Sequence, residues 1–98
     1  MTMAYDPGAI DAALAAAVGD EPALIAELRM AFVESAQRGL AALEAAHDDE
    51  EWRGAAARLK GLAASFGAVR LMALATQAAE LPHDATLLAK LRRSIDRL

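Results

Sequence analysis

Apolar residues recur through nearly the whole chain at spacings of three and four, the period of helices that bury one face. Ile10, Ala13, Leu14, Ala17 and Val18 trace a short first helix, with Asp6 as its N-cap, Pro7 at its first position and Gly19 as its stop. Tyr5 and Ile10 are spaced to staple across its start. Asp20 is placed to cap a second helix, with Glu21 and Pro22 in its first turn. Leu24, Leu28, Ala31, Phe32, Ser35, Gly39 and Leu43 carry that helix to near Ala46, a length of roughly 40 Å. Gly39 weakens it locally by about 1 kcal/mol relative to alanine. After the connection His47-Asp48-Asp49, the capping-box spacing of Asp48 and Glu51 opens a third helix. Its apolar positions are Trp52, Ala55, Ala56, Leu59 and Ala63, and it should end near Ser65-Phe66-Gly67. A fourth helix carries Leu71, Leu74, Ala75, Ala78 and Leu81 and stops before Pro82. Asp84 caps a fifth, with Leu87, Leu88, Leu91, Ile95 and Leu98 on its apolar side.

No segment alternates apolar and polar residues as a half-buried strand would. The connections are short, which favours antiparallel neighbours. The pattern therefore predicts an all-α fold, an up-down antiparallel four-helix bundle with a short extra N-terminal helix, forming one domain over residues 1–98.

Composition narrows the function classes. Hydrophobic residues make up 56% of the chain, but 27 of the 98 residues are alanine, which favours helix and buries little surface. Helices packed closely through small side chains follow from that mix. The absence of cysteine excludes disulfides, thiolate metal sites and cysteine nucleophiles, and two histidines do not make a histidine-rich metal centre. The longest uncharged stretches in the middle of the chain, 61–69 and 71–79, are nine residues each, far short of a membrane span. Residues 1–6 show neither a basic region nor an apolar signal core, so a cytoplasmic protein is the expectation. A net charge of −4 disfavours nucleic-acid binding. Its distribution is uneven: residues 1–51 hold 11 acids and 2 bases, residues 52–98 hold 3 acids and 8 bases. Either one part of the surface is basic and suited to an acidic partner, or the two halves attract each other within the bundle.

The stretch from Ala57 to Ala68 holds the most specific pattern: Leu59-Lys60-Gly61, then small residues, then Gly67-Ala68. It resembles the signature of histidine-phosphotransfer (Hpt) domains, His-x-Leu-Lys-Gly followed by small residues and a Gly-Ala step. The resemblance extends over nearly the whole chain, since a short helix precedes the bundle and Leu71, Leu74, Glu80 and Leu81 sit where the family has its next helix. It implies a phosphorelay module whose exposed imidazole exchanges phosphate with an aspartate on a receiver domain.

The departure lies at the carrier atom. The position matching the phosphorylated histidine is Ala57, and a methyl group has no lone pair to attack phosphorus, so no catalytic residue is assigned. The surrounding Ala55, Ala56, Ala63 and Ala64 favour natural loss over an engineered substitution. Arg53, Ala57, Lys60, Gly61 and Ala64 are spaced to share a helix face, with Arg58 at its flank. Gly61 would leave space for a partner, and Lys60 would supply positive charge. The resemblance thus implies binding to a response-regulator receiver domain, a histidine kinase, or both, without cofactor, metal, nucleic acid or membrane, as a monomer or homodimer.

Two other readings stay open. The chain could be the inactive variant of a working phosphocarrier. It could also be a structural or oligomerising bundle, with Gly54, Ala57, Gly61 and Ala64 small so that another helix packs close; burial of Ala57 and Lys60 would favour that case. No paired carboxylates, nucleophile with base, or phosphate-cradling glycine loop stands at the spacing an independent enzyme needs. His47 and His83 read as turn residues, Trp52 as a core or helix-start anchor, and Phe32 and Phe66 as core. Met30 and Met72 read as gap-fillers. The run Asp48-Asp49-Glu50-Glu51 lacks the alternating ligands of a calcium loop and suits a helix N-terminus instead.

Overall fold

The computed structural model describes residues 7–19 and 21–98. Five helices follow in chain order: α1 (Pro7–Val18), α2 (Pro22–Ala45), α3 (Asp49–Ser65), α4 (Val69–Glu80) and α5 (Ala85–Asp96). Each of α2, α3, α4 and α5 packs on the next, and α5 packs back on α2, closing the up-down antiparallel bundle that the pattern predicts. The extra helix α1 lies against α2. With 24 residues, α2 is the longest strut.

Local chemistry fixes the helix ends. At the start of α3, Asp48 Oδ1 accepts from the Glu51 N–H at 2.8 Å, and Glu51 Oε1 accepts from the His47 N–H at 2.7 Å. This is a reciprocal cap with its return bond one residue further out than the usual box. Asp49, Glu50 and Glu51 place three carboxylates in the first turn, where the helix dipole favours them. At the other end Gly67 adopts φ +70°, a left-handed turn open to glycine. The Ala68 N–H reaches the Ala63 carbonyl at 2.9 Å and the Gly67 N–H reaches Ala64 at 3.3 Å, the paired bonds of a Schellman stop. The Gly-Ala step of the sequence signature is thus the device that ends α3 and turns the chain into α4. Asp84 caps α5 as expected, accepting from the Leu87 N–H at 2.9 Å.

The start of α2 differs from expectation. Its N-cap is Glu21, whose side chain makes no capping bond, and Pro22 opens the helix. A residue before proline is pushed into the extended region, and Glu21 sits there at φ −117°, ψ 101°, so the proline sets the boundary. The capping expected of Asp20 and Asp6, and the staple expected of Tyr5, lie outside the described residues.

The core runs through all five helices, with Trp52, Phe32, Ile10, Leu43, Leu59, Leu71, Leu91 and Ile95 as its largest fully buried side chains. Phe66, half-buried at the end of α3, stacks on Phe32 with ring centroids 4.6 Å apart. The predicted α3 stripe is buried residue for residue: Trp52, Ala55, Ala56, Leu59 and Ala63. In α2 the stripe is Phe32, Ala36, Leu40 and Leu43, so Ala31 lies outside it and is exposed. Met30 is 64% exposed rather than filling a gap, because it stands two residues from Phe32 and so on nearly the opposite side of the helix. Ala17 of α1 is also exposed. Leu81 is 51% exposed because α4 ends at Glu80, and Leu81, at φ −130°, leaves the helical period before it can join the stripe. A Cβ on Gly39 would stand 3.0 Å from Leu59 Cδ1, so the absent side chain lets α2 and α3 approach closely.

Candidate functional site

Because Trp52, Ala55, Ala56, Leu59 and Ala63 turn inward, the rest of the helical wheel of α3 must face out. Arg53, Ala57, Arg58, Lys60, Gly61 and Ala64 are all exposed. Spacings of three, four and seven residues line five of them up as Arg53, Ala57, Lys60, Gly61 and Ala64 along one face, with Arg58 beside it. A Cβ built on Gly61 would meet nothing within 4 Å, and one on Gly54 would meet only Arg58 Nη1 at 3.5 Å. Gly54 and Gly61 are therefore not making room for another of the described helices.

Some basic side chains of the bundle are engaged with other elements, while Arg70, Lys90 and Arg93, like the cations of this face, have no ion-pair or hydrogen-bond partner among the described residues. Arg92 of α5 pairs with Glu44 of α2, and Arg29 Nη2 donates to the Leu98 carbonyl at 3.1 Å. The Arg92–Glu44 pair thus joins a base of the C-terminal half to an acid of the N-terminal half. Arg53, Arg58 and Lys60 take no part in that: among the described residues none of the three has an ion-pair or hydrogen-bond partner. The result is a polarised helix, acidic in its first turn and cationic along the outward face beyond it.

A family model described as the Hpt domain matches residues 27–98, which takes in most of α2 and all of α3, α4 and α5. The chain belongs to the Hpt domain family. Helix α1 lies outside the matched span. No curated protein and no solved structure matches the chain significantly. Hpt domains are phosphocarrier modules of two-component phosphorelays that meet kinases and receiver domains. In this Hpt domain the outward face of α3 carries no histidine.

Its two histidines stand elsewhere. His47 is exposed in the α2–α3 connection, where its backbone N–H serves the Glu51 cap. His83, in the α4–α5 connection, adopts φ +60° and places Nε2 3.3 Å from Asp49 Oδ1, with its ring centroid 5.1 Å from that of Trp52. Both fit the expectation of turn residues. His83 is more engaged than the sequence implies, since it ties the α4–α5 connection to the start of α3. Among the described residues no group of three His, Asp or Glu side chains could hold a metal ion, and no helix is long and apolar enough to cross a membrane.

The structure adds one feature that the sequence reading lacks. Ala63, Ala64, Gly67, Ala68, Val69 and Met72 line a small apolar hollow where α3 turns into α4. Val69 is 55% exposed at its edge, and Ala64 belongs to both the hollow and the cationic face. The signal was present: Val69 falls off the Leu71, Leu74, Ala75, Ala78 stripe, so a wheel drawn through that stripe leaves a β-branched apolar residue facing water.

Proposed function

We propose that this Hpt domain acts in a two-component phosphorelay by binding rather than by carrying phosphate. A response-regulator receiver domain or a histidine kinase docks on the α3 face of Arg53, Ala57, Arg58, Lys60, Gly61 and Ala64. The observation that carries the reading is the joint exposure of these six residues with three unpartnered cations among them. Ala57 stands where the family signature has its histidine, so the face keeps the charge that meets a partner and lacks the atom that accepts phosphorus. Receiver pockets are rich in carboxylates, and a cationic rim speeds encounter with such a surface and fixes its orientation. Exposed charges act over roughly 8–10 Å at moderate salt, so binding should weaken as salt rises. Receiver domains and the catalytic parts of kinases are cytoplasmic, and this reading places the chain there too.

Binding measured against a panel of receiver domains and kinase fragments from the same genome tests the proposal. At least one partner should bind, and Lys60→Glu should weaken that binding about tenfold, chiefly through a slower association rate. No binding across the panel, or a Lys60→Glu protein that binds as well as wild type, would overturn it.

A further inference from the structure

We propose that the α3 face reads the phosphorylation state of its partner, preferring a receiver domain that carries an acyl phosphate over the same domain without one. The inference rests on the docking function above and specifies the chemistry of the occupant. Converting an aspartate to its acyl phosphate adds about one net negative charge and pushes three acceptor oxygens outward from the pocket. A surface that recognises this difference needs room at its centre and cations at its edge.

The outward face of α3 has both. Ala57 contributes only a methyl group, and Gly61, one turn on, has no side chain, with nothing within 4 Å of where one would begin. Lys60 stands three residues after Ala57 and Arg53 four before it, distances that place both side chains beside that gap. Neither has an ion-pair or hydrogen-bond partner among the described residues. The nearest competing carboxylates are those of the first turn and its cap. Asp48 and Glu51 are engaged in the helix cap, and Asp49 lies against His83. Glu50 lines a separate groove with Arg58, Gly54 and the end of α2, and it stands three residues before Arg53, so both arginines have acid close by on the helix and Lys60 carries the selectivity.

What Ala57 lacks matters as much. An imidazole would attack the phosphorus and remove the feature being read. With no lone pair at position 57 the phosphoryl group stays on the partner's aspartate, and the complex lasts as long as the acyl phosphate does. A methyl in place of the nucleophile turns a transfer surface into a recognition surface.

Titration calorimetry with receiver domains from the same genome tests this, each used unmodified and with beryllofluoride bound at its aspartate as a stable mimic of the phosphoryl group. The beryllofluoride form should bind wild type about tenfold more tightly, through charge-assisted contacts. In Lys60→Gln, with an unchanged circular dichroism spectrum and Tm, that preference should shrink to within about twofold. Equal affinity for the two forms, or a preference that survives Lys60→Gln, overturns the inference while leaving the docking function standing. Failure of every receiver domain to bind in either form overturns both.

Discussion

Replacing Trp52 with alanine is expected to cost this Hpt domain about 3–5 kcal/mol, a large share of the roughly 5–15 kcal/mol that holds a small domain folded. Trp52 is 1% exposed and is the largest buried side chain. It enters the core from the first turn of α3, and its indole N–H donates to the Ala78 carbonyl at the end of α4 at 2.6 Å. Most of the loss should come from the cavity. The Ala78 carbonyl also accepts from the Leu81 N–H at 3.1 Å, so removing the indole does not leave it unpaired. Trp52→Phe, which keeps most of the volume and loses the N–H, should therefore cost only about 1–2 kcal/mol. Urea denaturation followed by circular dichroism measures both, and the alanine variant should lose roughly 15–30 °C in Tm. A cost below about 1 kcal/mol for Trp52→Ala would mean that the α3–α4 contact does not depend on this ring.

Ala57→His is expected to give a chain that takes phosphate from a charged receiver domain, and the present chain is expected to take none. Position 57 is exposed, so the imidazole enters solvent and displaces nothing, and the loss of helix propensity is only about half a kcal/mol. Its ring nitrogen would attack the phosphorus of the partner's acyl phosphate. The new P–N bond forms as the P–O bond to aspartate breaks, and the carboxylate is regenerated. Lys60, three residues on, would lie close enough to stabilise charge on the phosphoryl oxygens, and Gly61 leaves the approach open. The measurement is transfer of labelled phosphate from an acetyl-phosphate-charged receiver domain, scored as acid-labile label on the Ala57→His chain. An Ala57→His chain that supports binding but takes up no label would show that the docked partner does not present its phosphorus in line with position 57.

The sequence was legible where polar and apolar residues contrast, and illegible where alanine removes the contrast. In α3, one tryptophan, two leucines and six charged residues fix the phase of the helix, and both the buried stripe and the outward face follow from it. Asp48, Glu51 and Gly67 then set its ends by local hydrogen bonds that need no tertiary information. In α2, alanine occupies buried and exposed positions alike: Ala36 is fully buried and Ala31 exposed. A spacing rule that accepts either as apolar drifts off phase, and it missed Leu40 as core. Leu81 and Met30 misled for the opposite reason, since their hydrophobicity says nothing about where a helix stops or which way it is rotated. Position 57 was readable as an absence of nucleophile from one letter, and only packing could tell whether the face around it meets water or another helix. The apolar hollow edged by Val69 required the turn at Gly67 to bring the ends of α3 and α4 together.

Amide chemical-shift mapping of the labelled chain, titrated with a receiver domain that binds it, tests the docking face most directly. The largest perturbations should fall on Arg53, Ala57, Lys60, Gly61 and Ala64, extend toward Val69, and leave α5 and the exposed side of α1 unchanged. A footprint centred on α5 or α1, with the α3 resonances unmoved, would contradict the assignment of this face as the place where the domain meets its partner.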